Sequence, residues 1–206
     1  MDWRDLLFWR RPAIDDTHAL ADFIDEQSAF LVQKGIYEYS RALAGHYSKV
    51  LFSEREFLDA LERSRWSAYP VGLAMVGEMV AGVLRPHAQA DRAMQLDRVN
   101  ALVLSVFDRY PTPAGLSQQE WRDARAELER RLQLIGLHPP KRVIDIPEPY
   151  ARKYWDLMPI HKDLRSRDFP TTRSYLKVNL CNIHDELTRR ADVPALARRL
   201  AGAGDA

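Results

Sequence analysis

The stretch 66–84, WSAYPVGLAMVGEMVAGVL, constrains this chain more than any other. Glu78 is its only ionisable carboxylate, while the sequence on either side is strongly amphipathic. A bilayer span needs roughly 20 continuous apolar residues. This stretch is rich in Gly and Ala, carries Glu78 and is flanked by charge, so it reads as the buried central helix of a soluble fold. Pro70 suits a first helical turn, where its missing N–H is not needed. Arg85-Pro86 is a natural stop, because the residue before Pro is pushed out of the helical region. At helical spacing Trp66, Tyr69, Leu73, Val76, Val80, Val83 and Leu84 share a broad apolar face. Ser67, Ala74, Glu78, Ala81 and Arg85 lie opposite. Glu78 on that side is either a surface glutamate in a narrow solvent strip, the commoner case, or a buried polar contact with a second helix.

The helices that would surround such a core are legible from caps and periodicity. Asp15-Asp16 precede a helix from Thr17, with Leu20, Phe23, Ile24, Gln27 and Leu31 at helical spacing. The pattern resumes beyond Gly35 with Ile36, Tyr39, Leu43, His46 and Val50, either as one long helix or as two broken at the glycine. Ser53-Glu-Arg-Glu56 and Ser117-Gln-Gln-Glu120 both have capping-box spacing. The first would open a short helix leading into the central one. The second would open an amphipathic helix carrying Trp121, Leu128, Leu132 and Ile135. Between them a helix spans about 89–108 and ends at the YPTPAG turn.

Six of the twelve prolines fall in 137–170, which reads as an arm wrapped over the helical body, helical only at 148–157 and with 143–146 as a short extended piece. A last strong helix spans 171–190 with Leu176, Leu180, Ile183 and Leu187 in register, followed by a small basic helix at 194–200. The expected fold is all-α: one domain of six to eight helices around the central helix, divided into an N-terminal segment 1–12, a core 13–136, and the arm with C-terminal helix 137–206. No period of 20–50 residues repeats, so a solenoid is not supported.

Composition limits what such a bundle does. Hydrophobic residues at 46% and charged residues at 29% describe a globular protein, and a net charge of +1 offers no global field for nucleic acid or membrane. Arginine outnumbers lysine 24 to 6, the signature of a GC-rich, bacterial genome. Cys181 is the only cysteine, which removes an intramolecular disulfide and any Cys-cluster metal site. The first residues lack the apolar core of a secretory signal, so the cytoplasm is the expected compartment.

Motifs for common chemistry are missing. No Glu is followed three residues later by His, as di-iron bundles require, and His-Glu-x-x-His, Gly-x-Ser-x-Gly and the glycine-rich phosphate loops do not occur. No cofactor or metal is indicated. Cys181 and His184 are three residues apart on one helix, but Cys181 borders the apolar stripe, where a cysteine serves as a small hydrophobe. The stretch 141–177 holds nine Lys/Arg against five Asp/Glu among aromatics, yet the charges are mixed and no nucleic-acid motif accompanies them.

Three functional readings remain, led by a non-enzymatic protein that binds another protein or itself. Its candidate contacts are Trp3, Phe8 and Trp9 in the basic, Trp-rich 1–12 segment and Tyr150, Tyr154 and Trp155 in the arm. The second is a small-molecule-binding or enzymatic helical bundle with a hydrophobic pocket near His46 and Glu78, lined by Tyr39, His46, Trp66 and Glu78. The third is attachment to a membrane surface through residues 1–12.

Overall fold

A computed structural model describes residues 12–88, 92–160 and 168–201. Within them the chain is all-α, and the one extended pairing is an isolated parallel bridge between Ile14 and Ala191. The contacts expected at Trp3, Phe8 and Trp9 lie outside the described residues.

Helix α1 (Thr17–Ala29) is capped by Asp16, whose Oδ1 accepts from the Ala19 N–H at 2.7 Å. It runs through a single π-helical turn at Phe30–Lys34 into α2 (Gly35–Ala44), so Gly35 does not break the rod. Gly35 is there for space: a Cβ would come within 2.6 Å of the Tyr175 ring and still closer to the Tyr154 hydroxyl. The helix ends at Gly45, whose φ of 51° suits only glycine. A short α3 (Ser48–Leu51) follows.

Helix α4 (Arg55–Leu84) is the hub, and it is longer than its sequence suggests. Pro70 sits in its interior rather than its first turn. A proline there removes one backbone hydrogen bond, and the burial of 68–81 on every side outweighs that loss. The most apolar window of Arg55–His87 is 83% buried inside the protein. That is the environment of a core helix. Ser53 does not cap α4: its hydroxyl donates to the Val50 carbonyl at 2.7 Å, closing the preceding turn instead.

Helices α5 (Arg92–Phe107) and α6 (Gln118–Leu134) complete one side of the bundle. The Ser117 box is fully formed, with Ser117 Oγ accepting from the Glu120 N–H at 3.2 Å and Glu120 Oε2 accepting from the Ser117 N–H at 2.7 Å. Helices α7 (Glu148–Asp156) and α8 (Phe169–Arg190) pack on each other and on α4, and α9 (Val193–Leu200) packs on α4, α5 and α1. Helices α1, α2 and α5 to α9, excluding the short α3, all pack against α4. Gly72 lets α1 come close to α4: a Cβ there would lie 2.7 Å from the Ser28 carbonyl oxygen of α1.

The proline-rich arm does wrap the body. Residues 143–145 form a 3-10 turn, not an extended piece, because the Asp145 N–H bonds back to the Arg142 carbonyl at 2.8 Å. Tyr150, Tyr154 and Trp155 of α7 are buried, and the Tyr154 hydroxyl donates to the Val32 carbonyl at 2.8 Å, which the π turn leaves within reach.

Candidate ligand-binding site

Two helical stripes face each other at one end of the bundle. On α4 and the residue just past it, Glu78, Ala81, Gly82 and Arg85 fall at i, i+3, i+4 and i+7, and on α5 Arg92, Gln95, Leu96 and Val99 repeat that spacing. The turn between the helices is short and α5 returns along α4, bringing Val103 against Gly77. The two arginines therefore share the turn end, while Glu78 lies deeper. Residues 135–141 form a third wall. Together these elements enclose a cavity of about 430 Å³.

The deep end is polar and satisfied. Glu78 is 4% exposed, so the solvent-strip reading of this residue is overturned. Its carboxylate accepts from Lys141 Nζ at 2.7 Å and from the Tyr150 hydroxyl at 3.2 Å. A buried carboxylate needs both partners, since an uncompensated charge in the interior costs several kcal/mol, on the order of 3–5. Burial, reinforced by the Glu78 charge, pushes the Tyr150 hydroxyl well above its ordinary pKa, so it stays a donor.

The middle is largely apolar, with Gln95, Asp97 and Gln133 as polar residues of its lining. Gln95 is 4% exposed, and its Nε2 has no hydrogen-bond partner among the described residues. Buried polar atoms are nearly always paired; this one is closed off from solvent, so it is a packing cost and not a donor facing the cavity. Gly82 also lines the cavity, and a Cβ built on it would meet nothing within 4 Å.

The turn end is basic. A shallower depression beside the cavity is lined by Arg85, Arg92 and His138 among prolines, Gly136 and Leu137, with no acid among the described residues. Arg85 Nη1 donates to the His138 carbonyl at 3.1 Å, tying the third wall to α4.

Of the four residues expected around a pocket, only Glu78 lines it. His46 is exposed in the turn after Gly45, because the helix that would have carried it inward has already ended. Tyr39 stacks edge-on against Trp155 at 5.4 Å and donates to Asp168 at 3.1 Å. Trp66 is on α4 with Glu78, but twelve residues away, about 18 Å along the axis. It packs edge-to-face on Tyr69, Tyr110 and Trp121, and its Nε1 donates to Glu62 at 2.7 Å. That aromatic cluster is closed by Asp25, which accepts from the Tyr69 hydroxyl at 2.7 Å and from Tyr110 at 2.9 Å.

Tyr150, Tyr154 and Trp155 present no ring surface to a partner, because the arm buries them against α4 and α8. Gln95, Lys141, Gly82, Arg85 and Arg92 were not singled out as site residues from the sequence. The stripe spacing on 92–99 was available to find Gln95, but its pairing with 78–85 is a property of packing. Burial and Asp185 raise the Cys181 thiol pKa, the opposite of what a nucleophile requires. Among the described residues no group of three or more His, Cys, Asp or Glu side chains converges as a metal site. No protein-family model, curated protein or solved structure matches the chain.

Proposed function

We propose that this chain is a small-molecule-binding protein whose site is the cavity between α4 and α5. Gly82 is the observation that carries the reading. A glycine inside a helix costs about 1 kcal/mol relative to alanine. Neither backbone strain nor crowding by a described residue requires it, since its φ is not positive and no described atom lies within 4 Å of a Cβ there. What the missing side chain provides is room in the cavity. Apolar walls supply the contact area typical of ligand pockets, with a few polar side chains among them.

Gly82→Leu tests this, because Gly82 lines the cavity and no described residue lies within 4 Å of a Cβ at that position. Native mass spectrometry of the gently purified full chain should show a small-molecule adduct on wild type and none on Gly82→Leu, with both folded. An adduct that survives the substitution would place the ligand elsewhere.

Association with another protein or a second copy is the second reading, favoured by a partly exposed aromatic row. Tyr37, Phe52 and Phe57 stack edge-on at 5.1 Å each, flanked by Val50 at 59% and Leu58 at 42% exposure. Concentration-dependent sedimentation that Leu58→Glu abolishes would support self-association there; a monomer at all concentrations would leave only a foreign partner for that face.

A further inference from the structure

The cavity has a direction, and that direction describes its occupant. Seven residues separate Glu78 from Arg85, about 10 Å along α4. The deep end is already neutralised, Glu78 by Lys141 and Tyr150. The open end carries Arg85 and Arg92 with His138 beside them, and no acid lines the outer depression among the described residues. Of the acids lining the inner cavity, the one besides Glu78 is Asp97, which is exposed. Ala81, Gly82, Leu96, Val99 and Ile135 make most of the length between the ends apolar, with Gln95 and Gln133 as the amides of the lining.

Resting on the cavity reading above, we infer that the site takes an organic anion with an apolar body, its carboxylate or phosphate head between Arg85 and Arg92. Guanidinium groups suit this role, because their fork of donors matches the paired oxygens of either head. Arg85 spends one nitrogen on the His138 carbonyl and keeps its remaining donors. The apolar body runs along α4 and α5 toward Glu78. A cationic ligand would face two arginines at the entrance and would have to displace Lys141 to reach Glu78.

The test is calorimetric titration of the full chain with decanoate, decyl phosphate, decanol and decyltrimethylammonium, each below its micelle threshold. Wild type should bind the two anions about tenfold or more tighter than decanol, and the ammonium weakest. Arg92→Gln, at an exposed first turn where folding does not depend on it, should reduce the anions to the affinity of decanol and leave decanol unchanged. Either order of the two anions supports the inference and assigns the head group. Equal binding of decanoate and decanol, tightest binding of the ammonium, or indifference to Arg92→Gln overturns it while Gly82→Leu still blocks binding. If none of the four binds, or if Gly82→Leu leaves every titration unchanged, the cavity reading falls with it.

Discussion

At the scale of single residues, two helical glycines serve opposite ends. A methyl group on Gly35 would press into the Tyr154 hydroxyl and the Tyr175 ring, both held by the core, whereas one on Gly82 enters open volume. Gly35→Ala should therefore destabilise by about 1–3 kcal/mol through overpacking. Gly82→Ala should stabilise by up to about 1 kcal/mol through helix propensity and a less flexible unfolded chain. Urea denaturation of the two variants checks both signs, and a loss at Gly82 would show that the space beside it is filled. Lys141 gives a third residue-scale prediction. Lys141→Met leaves the Glu78 carboxylate buried with Tyr150 as its remaining donor, which should cost about 2 kcal/mol. Lys141→Met combined with Glu78→Leu should cost less than the single change, a non-additivity that a double-mutant cycle reads out.

At the scale of elements, the same four-residue signal gave opposite results. Ser117-Gln-Gln-Glu120 is a closed capping box, while Ser53 turns back to Val50. Ser117→Ala should then cost about 1 kcal/mol and Ser53→Ala much less, by thermal unfolding. Hydrogen bonding to the Ser117 N–H, aided by Arg63, lowers the Glu120 carboxyl from its ordinary 4.5 to about 2. A depressed carboxyl adds stability above its unfolded pKa and loses it as pH falls through the folded value. The gap between wild type and Glu120→Ala should thus be full above pH 4.5 and shrink toward pH 2.

Most helices were legible because caps, glycines and apolar spacing are local. Asp16, Gly45 and Ser117 each act within one turn of themselves. The all-α bundle and the wrapping arm followed from that spacing and from aromatics that needed burial. What was not legible depended on partners distant in sequence. Pro70 reads locally as a helix start and is interior only because α4 is buried on all sides. His46 continues a periodic row on paper, and Gly45 ends the helix before the row reaches it. The cavity needs 78–85, 92–99 and 135–141 at once, and no spacing within any one of them announces the other two.

At the scale of the whole molecule, the two ends of the described chain close on each other. The Ile14 N–H bonds to the Arg190 carbonyl at 3.0 Å, and Arg190 Nε donates to the Pro12 carbonyl at 3.1 Å. Beyond that junction α9 buries Leu196, Ala197 and Leu200 against α4, α5 and the turn between them, and Arg98 reaches the Leu200 carbonyl. Full burial of a leucine contributes roughly 1.5–3 kcal/mol. A chain truncated after Arg190 should therefore lose several kcal/mol, a large share of ordinary domain stability. Its melting temperature should fall well below that of the full chain; an unchanged melt would make α9 dispensable to the bundle.

The third wall of the cavity is tied to α4 twice, by Arg85 on the His138 carbonyl and by Glu78 on Lys141. Those ties fix the shape of the cavity and leave its mouth, at Arg85 and Arg92, as the way in and out. How long an occupant stays is then set by what it leaves behind at the mouth, so a firmer head group lengthens the stay more than it speeds arrival, the usual pattern among related complexes.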